Sequence, residues 1–85
     1  MHYVYILQSK KDSKFYTGLT NDLKRRMKEH QSGTVRSTWN RGPLELIYYE
    51  VCLNEDDAKQ RELYLKPGLG KKYIRNRLKR YLENL

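Results

Sequence analysis

The stretch YVYIL, Tyr3 to Leu7, is apolar on both of its alternating faces. In an extended strand successive side chains point to opposite sides, so neither side of this segment suits water. It reads as the central strand of a sheet with a covering layer against each face. An 85-residue chain can supply few layers and buries a smaller share of its surface than a longer one. One compact domain spanning residues 1–85 is the expectation.

The polar stretch Ser9 to Lys14 reads as a hairpin loop returning into FYTG, a second strand whose Gly18 is expected to let the chain turn. A helix follows from about Asn21 to Gln31, with Thr20, Asn21 and Asp22 as starters and Ser32 and Gly33 as its stop. Thr34 to Pro43 reads as a surface loop, and LELIYYEVCL as the third and longest strand. Asn54 caps the next helix, with Glu55, Asp56 and Asp57 in its positive first turn. Pro67, Gly68 and Gly70 end it. A last helix begins near Lys71 and carries Ile74, Leu78, Tyr81, Leu82 and Leu85 on one face. The order β-β-α-β-α-α predicts an α/β fold, a small three-stranded, mainly antiparallel sheet flanked by helices.

Some residues do not suit a plain core. Leu23, Arg26, Met27 and His30 share one face of the first helix, which draws Arg26 and His30 to the edge of an apolar contact. Ala58, Glu62 and Leu65 form a stripe on the second helix, so Glu62 interrupts an apolar seam. A carboxylate there needs a pairing cation, and Arg26 is a candidate for a purely structural bridge. Eight of the ten aromatic residues are tyrosines. Tyr5 and Tyr16 lie on strands that pair, which can place two phenols side by side. Tyr48, Tyr49, Tyr64, Tyr73 and Tyr81 read as packing residues.

Lysine and arginine total 18 against 10 acids, a formal charge of +8. That excess favours a polyanionic partner, nucleic acid first, with DNA ahead of RNA, and an acidic membrane surface second. KKYIRNRLKR concentrates it: Lys71, Lys72, Arg75, Arg77, Lys79 and Arg80 are expected on the outer face of the last helix, where phosphate contacts read no sequence. Trp39, in STWNRG, either stacks on a base or anchors its loop. Cys52 is the only cysteine, which excludes an internal disulfide, and it reads as a small buried residue. No signal-peptide pattern or long apolar span is present, so a cytoplasmic protein with no membrane partner is the expectation.

YVYIL followed by YTG and then RMKEH resembles the GIY-YIG nuclease domain. The likeness rests on a spaced tyrosine pair, an Arg-x-x-x-His helix segment and a glutamate on a later helix. Two positions depart from it. Tyr3 stands where the first motif begins with glycine, and Thr17 where isoleucine or valine is commoner. The resemblance implies a divalent-metal-dependent endonuclease acting on DNA in repair or processing. Glu62 would hold Mg²⁺ or Mn²⁺, an ion that keeps several waters and needs few protein ligands. Arg26 would grip the phosphate with its forked donors. Tyr5 would be the general base for water, His30 its proton acceptor, and Tyr16 an orienting hydroxyl. Asn76 is the position left for the family's late asparagine. Homing and repair relatives owe selectivity to attached modules, so cleavage here is expected to be structure-directed or of low sequence specificity unless a partner protein supplies recognition. The alternative is a non-catalytic DNA- or RNA-binding module using the basic last helix.

Overall fold

The central position of β1 (His2–Ser9) follows from its two apolar faces. β2 (Phe15–Thr20) and β3 (Leu44–Cys52) flank it, both antiparallel, in the order β2-β1-β3. The computed structural model describes residues 1–84; Leu85, expected on the apolar face of the last helix, lies outside the described residues. On one face of β1, Val4 and Ile6 pack with Phe15, with Ala58 and Leu65 of α2 (Glu55–Leu65) and with Ile74 of α3 (Gly68–Arg77). Cys52, expected to be buried, is only half-buried and borders this core. On the other face Tyr3, Leu46 and Tyr49 line a groove together with Leu23 and Met27 of α1 (Leu23–Gln31). The sheet thus has a helix layer on each side. Among the described residues no helix is long and apolar enough to cross a membrane.

Caps set the helix starts. The Asp22 carboxylate accepts from the Arg25 N–H at 3.1 Å, so α1 begins at Leu23 rather than Asn21. Asn54 accepts from the N–H groups of Asp56 and Asp57, and the acids of that first turn suit the helix dipole.

Both glycine readings need correction. Gly18 does not turn the chain; it lies inside β2, directly opposite Tyr5. Gly70 does not end a helix either. α3 starts at Gly68 with Pro67 at its N-cap, and Gly70 lies where α3 crosses α2: a Cβ there would land on the Tyr64 carbonyl and the Leu65 backbone. The helix then breaks at Leu78, and the short α4 (Lys79–Glu83) continues it. The expected apolar stripe is therefore divided. Ile74 is buried, Leu78 and Leu82 pack at the core margin, and Tyr81 is exposed.

The tyrosines expected to pack also divide. Tyr48 and Tyr73 border the core, whereas Tyr49 and Tyr64 are about half exposed. Tyr48 has a further task. Its hydroxyl donates to Glu50 at 2.8 Å, while Arg61 grips the same carboxylate with Nε at 2.8 Å and Nη2 at 2.9 Å. The guanidinium also lies 5.1 Å from the Tyr64 ring and 4.9 Å from the Tyr73 ring. This cluster ties β3 to α2 and α3 with a bidentate ion pair between aromatic faces.

Candidate active site

Tyr5 reaches its position because Gly18 stands opposite it. A Cβ on Gly18 would land on Cζ and Oη of Tyr5, so the end of the phenol ring fills the space where a side chain would be. The hydroxyl thereby extends across β2, the edge strand, into a cavity of about 560 Å³. There Arg26 Nε donates to the Tyr5 oxygen at 3.3 Å, and the Tyr5 hydroxyl lies 2.9 Å from His30 Nε2. Arg26 and His30 are one helical turn apart on α1, which is why both reach one hydroxyl. Since Arg26 supplies the donor to that oxygen, the phenolic proton points to Nε2. The His30 Nδ1–H then donates to Thr38 Oγ1 at 2.7 Å. Arg26 Nη1 also donates to Glu29 at 3.1 Å.

The charges follow from this arrangement. Burial raises the Tyr5 pKa, against the opposing hydrogen bond and charge of Arg26, and the nearby Glu62 carboxylate adds to the rise. Burial and then the Arg26 charge lower the His30 pKa. The pair therefore rests as a neutral phenol donating to a neutral imidazole.

Glu62 comes from α2, in the opposite layer, yet lines the same cavity because the cavity opens around the β2 edge. The structural bridge to Arg26 considered from sequence does not form. Glu62 pairs instead with Lys66, one turn on, at 3.4 Å, while Arg26 pairs with Glu29. Tyr16 also lines the cavity, though not beside Tyr5. The register sets it opposite Leu7, so the expected side-by-side phenols are offset along the strands. Its hydroxyl is buried and, among the described residues, has no hydrogen-bond partner. Above its ring lies the Arg41 guanidinium, 5.7 Å from the centroid.

Of the basic segment only Lys71 lines this cavity; Lys72, Arg75, Arg77, Lys79 and Arg80 are exposed on α3 and α4. They do not form one continuous helix face, because the axis breaks at Leu78. Asn76 is exposed and lines a separate small pocket with Arg77 and Leu78, away from the cavity. Thr38 and Lys66 were not foreseen. Lys66 had a readable signal, four residues after Glu62 on a helix. Thr38 had none, since an irregular loop carries it to His30.

Among the described residues no group of three or more His, Cys, Asp or Glu side chains is gathered to hold a metal ion. The cavity offers one carboxylate, Glu62. That donor set does not suit a closed zinc centre. It fits a hard ion such as Mg²⁺, which shares its shell with water and a substrate phosphate.

The description GIY-YIG catalytic domain belongs to the family model that matches residues 1–75. A UPF0213 protein of Clostridium perfringens is 46% identical over 67 residues, covering 78% of this chain and 71% of that one. Another, from Oceanobacillus iheyensis, is 41% identical over 66 residues, 76% of each chain. The solution NMR structure of the UPF0213 protein BH0048 from Bacillus halodurans matches with a TM-score of 0.57 at 39% identity, covering 92% of this chain and 84% of that one. The match to the family model spans both strands of the tyrosine pair, the Arg-x-x-x-His turn of α1 and Glu62 on α2. This chain belongs to the GIY-YIG catalytic domain family, whose domains are nucleases.

Proposed function

We propose that the cavity hydrolyses DNA phosphodiester bonds with the help of a divalent ion, in DNA repair or processing. One observation carries the reading: the Tyr5 hydroxyl is held between Arg26 and His30 in the same cavity as Glu62 and Tyr16. A structural core has no use for such a set on its rim. A nuclease needs each member, because in-line attack on a phosphodiester requires water activation, phosphate positioning and charge stabilisation.

Glu62 would hold Mg²⁺ or Mn²⁺, which when bound would supply positive charge to the phosphoryl and leaving oxygens. Arg26 Nε and Nη1 are engaged by Tyr5 and Glu29, and among the described residues Nη2 has no partner. That free edge of the fork donates to the phosphate. Tyr5 with its raised pKa is a poor base alone. It accepts the proton of the attacking water as its own proton passes to His30 Nε2, and Thr38 holds the imidazole in the receiving tautomer. Tyr16 donates its unpartnered hydroxyl to the water or phosphate. Lys66 and Lys71 add positive charge at the rim. The exposed cations of α3 and α4 contact phosphates, which favours structure-directed or low sequence specificity.

The purified protein should nick supercoiled plasmid in Mg²⁺ or Mn²⁺ and stop in EDTA. Binding without nicking, in either metal, would leave the basic binding module as the better reading.

A further inference from the structure

Trp39 is 62% exposed, so it does not anchor its loop. The backbone around it is nevertheless tied down on both sides. Thr38, 3% exposed, lines the cavity and bonds the His30 ring at 2.7 Å. The Arg41 carbonyl accepts from the buried Ser9 hydroxyl at 2.7 Å, and the Arg41 guanidinium reaches Asp12 at 3.4 Å and overlies Tyr16. Within the loop, Thr38 N–H donates to Val35 and Arg41 N–H to Thr38. A large apolar ring thus follows a cavity-lining residue in the chain, on a backbone fixed at Thr38 to one candidate catalytic residue and at Arg41 to another, and is left open to solvent. Arg36, also exposed, lies on the chain just before it.

An exposed aromatic face on a segment that also carries two arginines, Arg36 and Arg41, suits an unpaired strand. Bases stack on the ring, and phosphates meet the cations. A base inside a duplex already has both faces covered by its neighbours and offers none to the indole. We propose that Trp39 stacks on an unpaired base adjoining the phosphodiester that enters the cavity, so that the preferred substrate is DNA with single-stranded or frayed nucleotides at the cut. This rests on the nuclease reading for what enters the cavity.

Trp39 is the only tryptophan, so fluorescence excited at the red edge of the indole band, beyond tyrosine absorption, reports on this position alone. The full chain in EDTA, where cleavage is silent, is titrated with a short single-stranded DNA and with a blunt duplex of the same sequence. The single strand should quench the fluorescence and the duplex should not. By anisotropy with labelled DNA, Trp39→Leu should weaken single-strand binding by roughly 5- to 150-fold, the range for loss of one stacked base, and leave duplex binding unchanged. Trp39→Phe keeps an aromatic face and should retain most of the affinity. Absence of quenching, equal quenching by duplex, or a Leu variant that binds the single strand like the parent would overturn the proposal. Because the readout is binding, a nuclease that cleaves while Trp39 stays silent overturns this inference alone. Quenching without cleavage overturns only the hydrolytic reading.

Discussion

Gly18→Ala should damage the active site from a position that carries no functional group. The new Cβ would fall on Cζ and Oη of Tyr5 and 2.8 Å from Cε2, so the ring end must retreat by about 1 Å to reach ordinary contact distance. The Tyr5 hydroxyl bonds are 2.9 Å to His30 and 3.3 Å to Arg26, and such a retreat breaks both. Overpacking costs about 1–3 kcal/mol, and the two lost hydrogen bonds add about 1–3 kcal/mol together. In a chain of this size a total near 2–6 kcal/mol lowers Tm by roughly 10–50 °C. Displacement of the proton relay should cut single-turnover cleavage by about 100-fold at a temperature where the variant is folded. Calorimetric melting and plasmid nicking measure the two effects. In a Tyr5→Ala background no ring remains to displace, so Gly18→Ala should cost little further stability. A Gly18→Ala protein that melts and cleaves like the parent would refute the reasoning, as would an equal loss of stability in the Tyr5→Ala background.

Arg61→Ala strands the Glu50 carboxylate beside the core and should cost about 1.5–3 kcal/mol in thermal melts, while cleavage below Tm is unchanged. His30 titrates below its ordinary 6.5, so cleavage should hold as pH falls to 6.5 and decline only lower, as the imidazole fills with the proton it must accept from Tyr5. On stability the sign is the same. The unfolded chain binds this proton at higher pH than the folded one, so Tm should fall as pH drops from about 6.5 through the folded pKa, and His30→Gln should flatten that slope. Lys66→Met removes the ammonium held 3.4 Å from Glu62, and calorimetric titration should show tighter Mn²⁺ binding than in the parent.

The sheet and its covering layers were legible because β1 is apolar on both faces, and the helix faces because Leu23, Arg26, Met27 and His30 and then Ala58, Glu62 and Leu65 recur at helical spacing. Those spacings placed Arg26, His30 and Glu62 at the margin of the core before their company was known. What composition could not show was which spaces are filled. Gly18 and Gly70 look like punctuation in a sequence, yet one makes room for a phenol ring and the other for a helix crossing. The partner of Glu62 was misread for a similar reason. Arg26 is the cation suggested by opposed faces, but Lys66 lies one turn away and reaches the carboxylate at no cost in chain geometry. Thr38 and the Glu50–Arg61 pair depend on contacts between segments of different elements, which no local period encodes.

Single-turnover cleavage by Glu62→Gln tests the central claim most directly, with folding checked by melting and DNA binding by anisotropy. The substitution keeps the side chain's size and removes its charge, so the variant should fold and bind DNA while cleaving at least about 100-fold more slowly in Mg²⁺ or Mn²⁺. A Glu62→Gln protein that cuts at the parent rate would show that this cavity is not where the phosphodiester is broken.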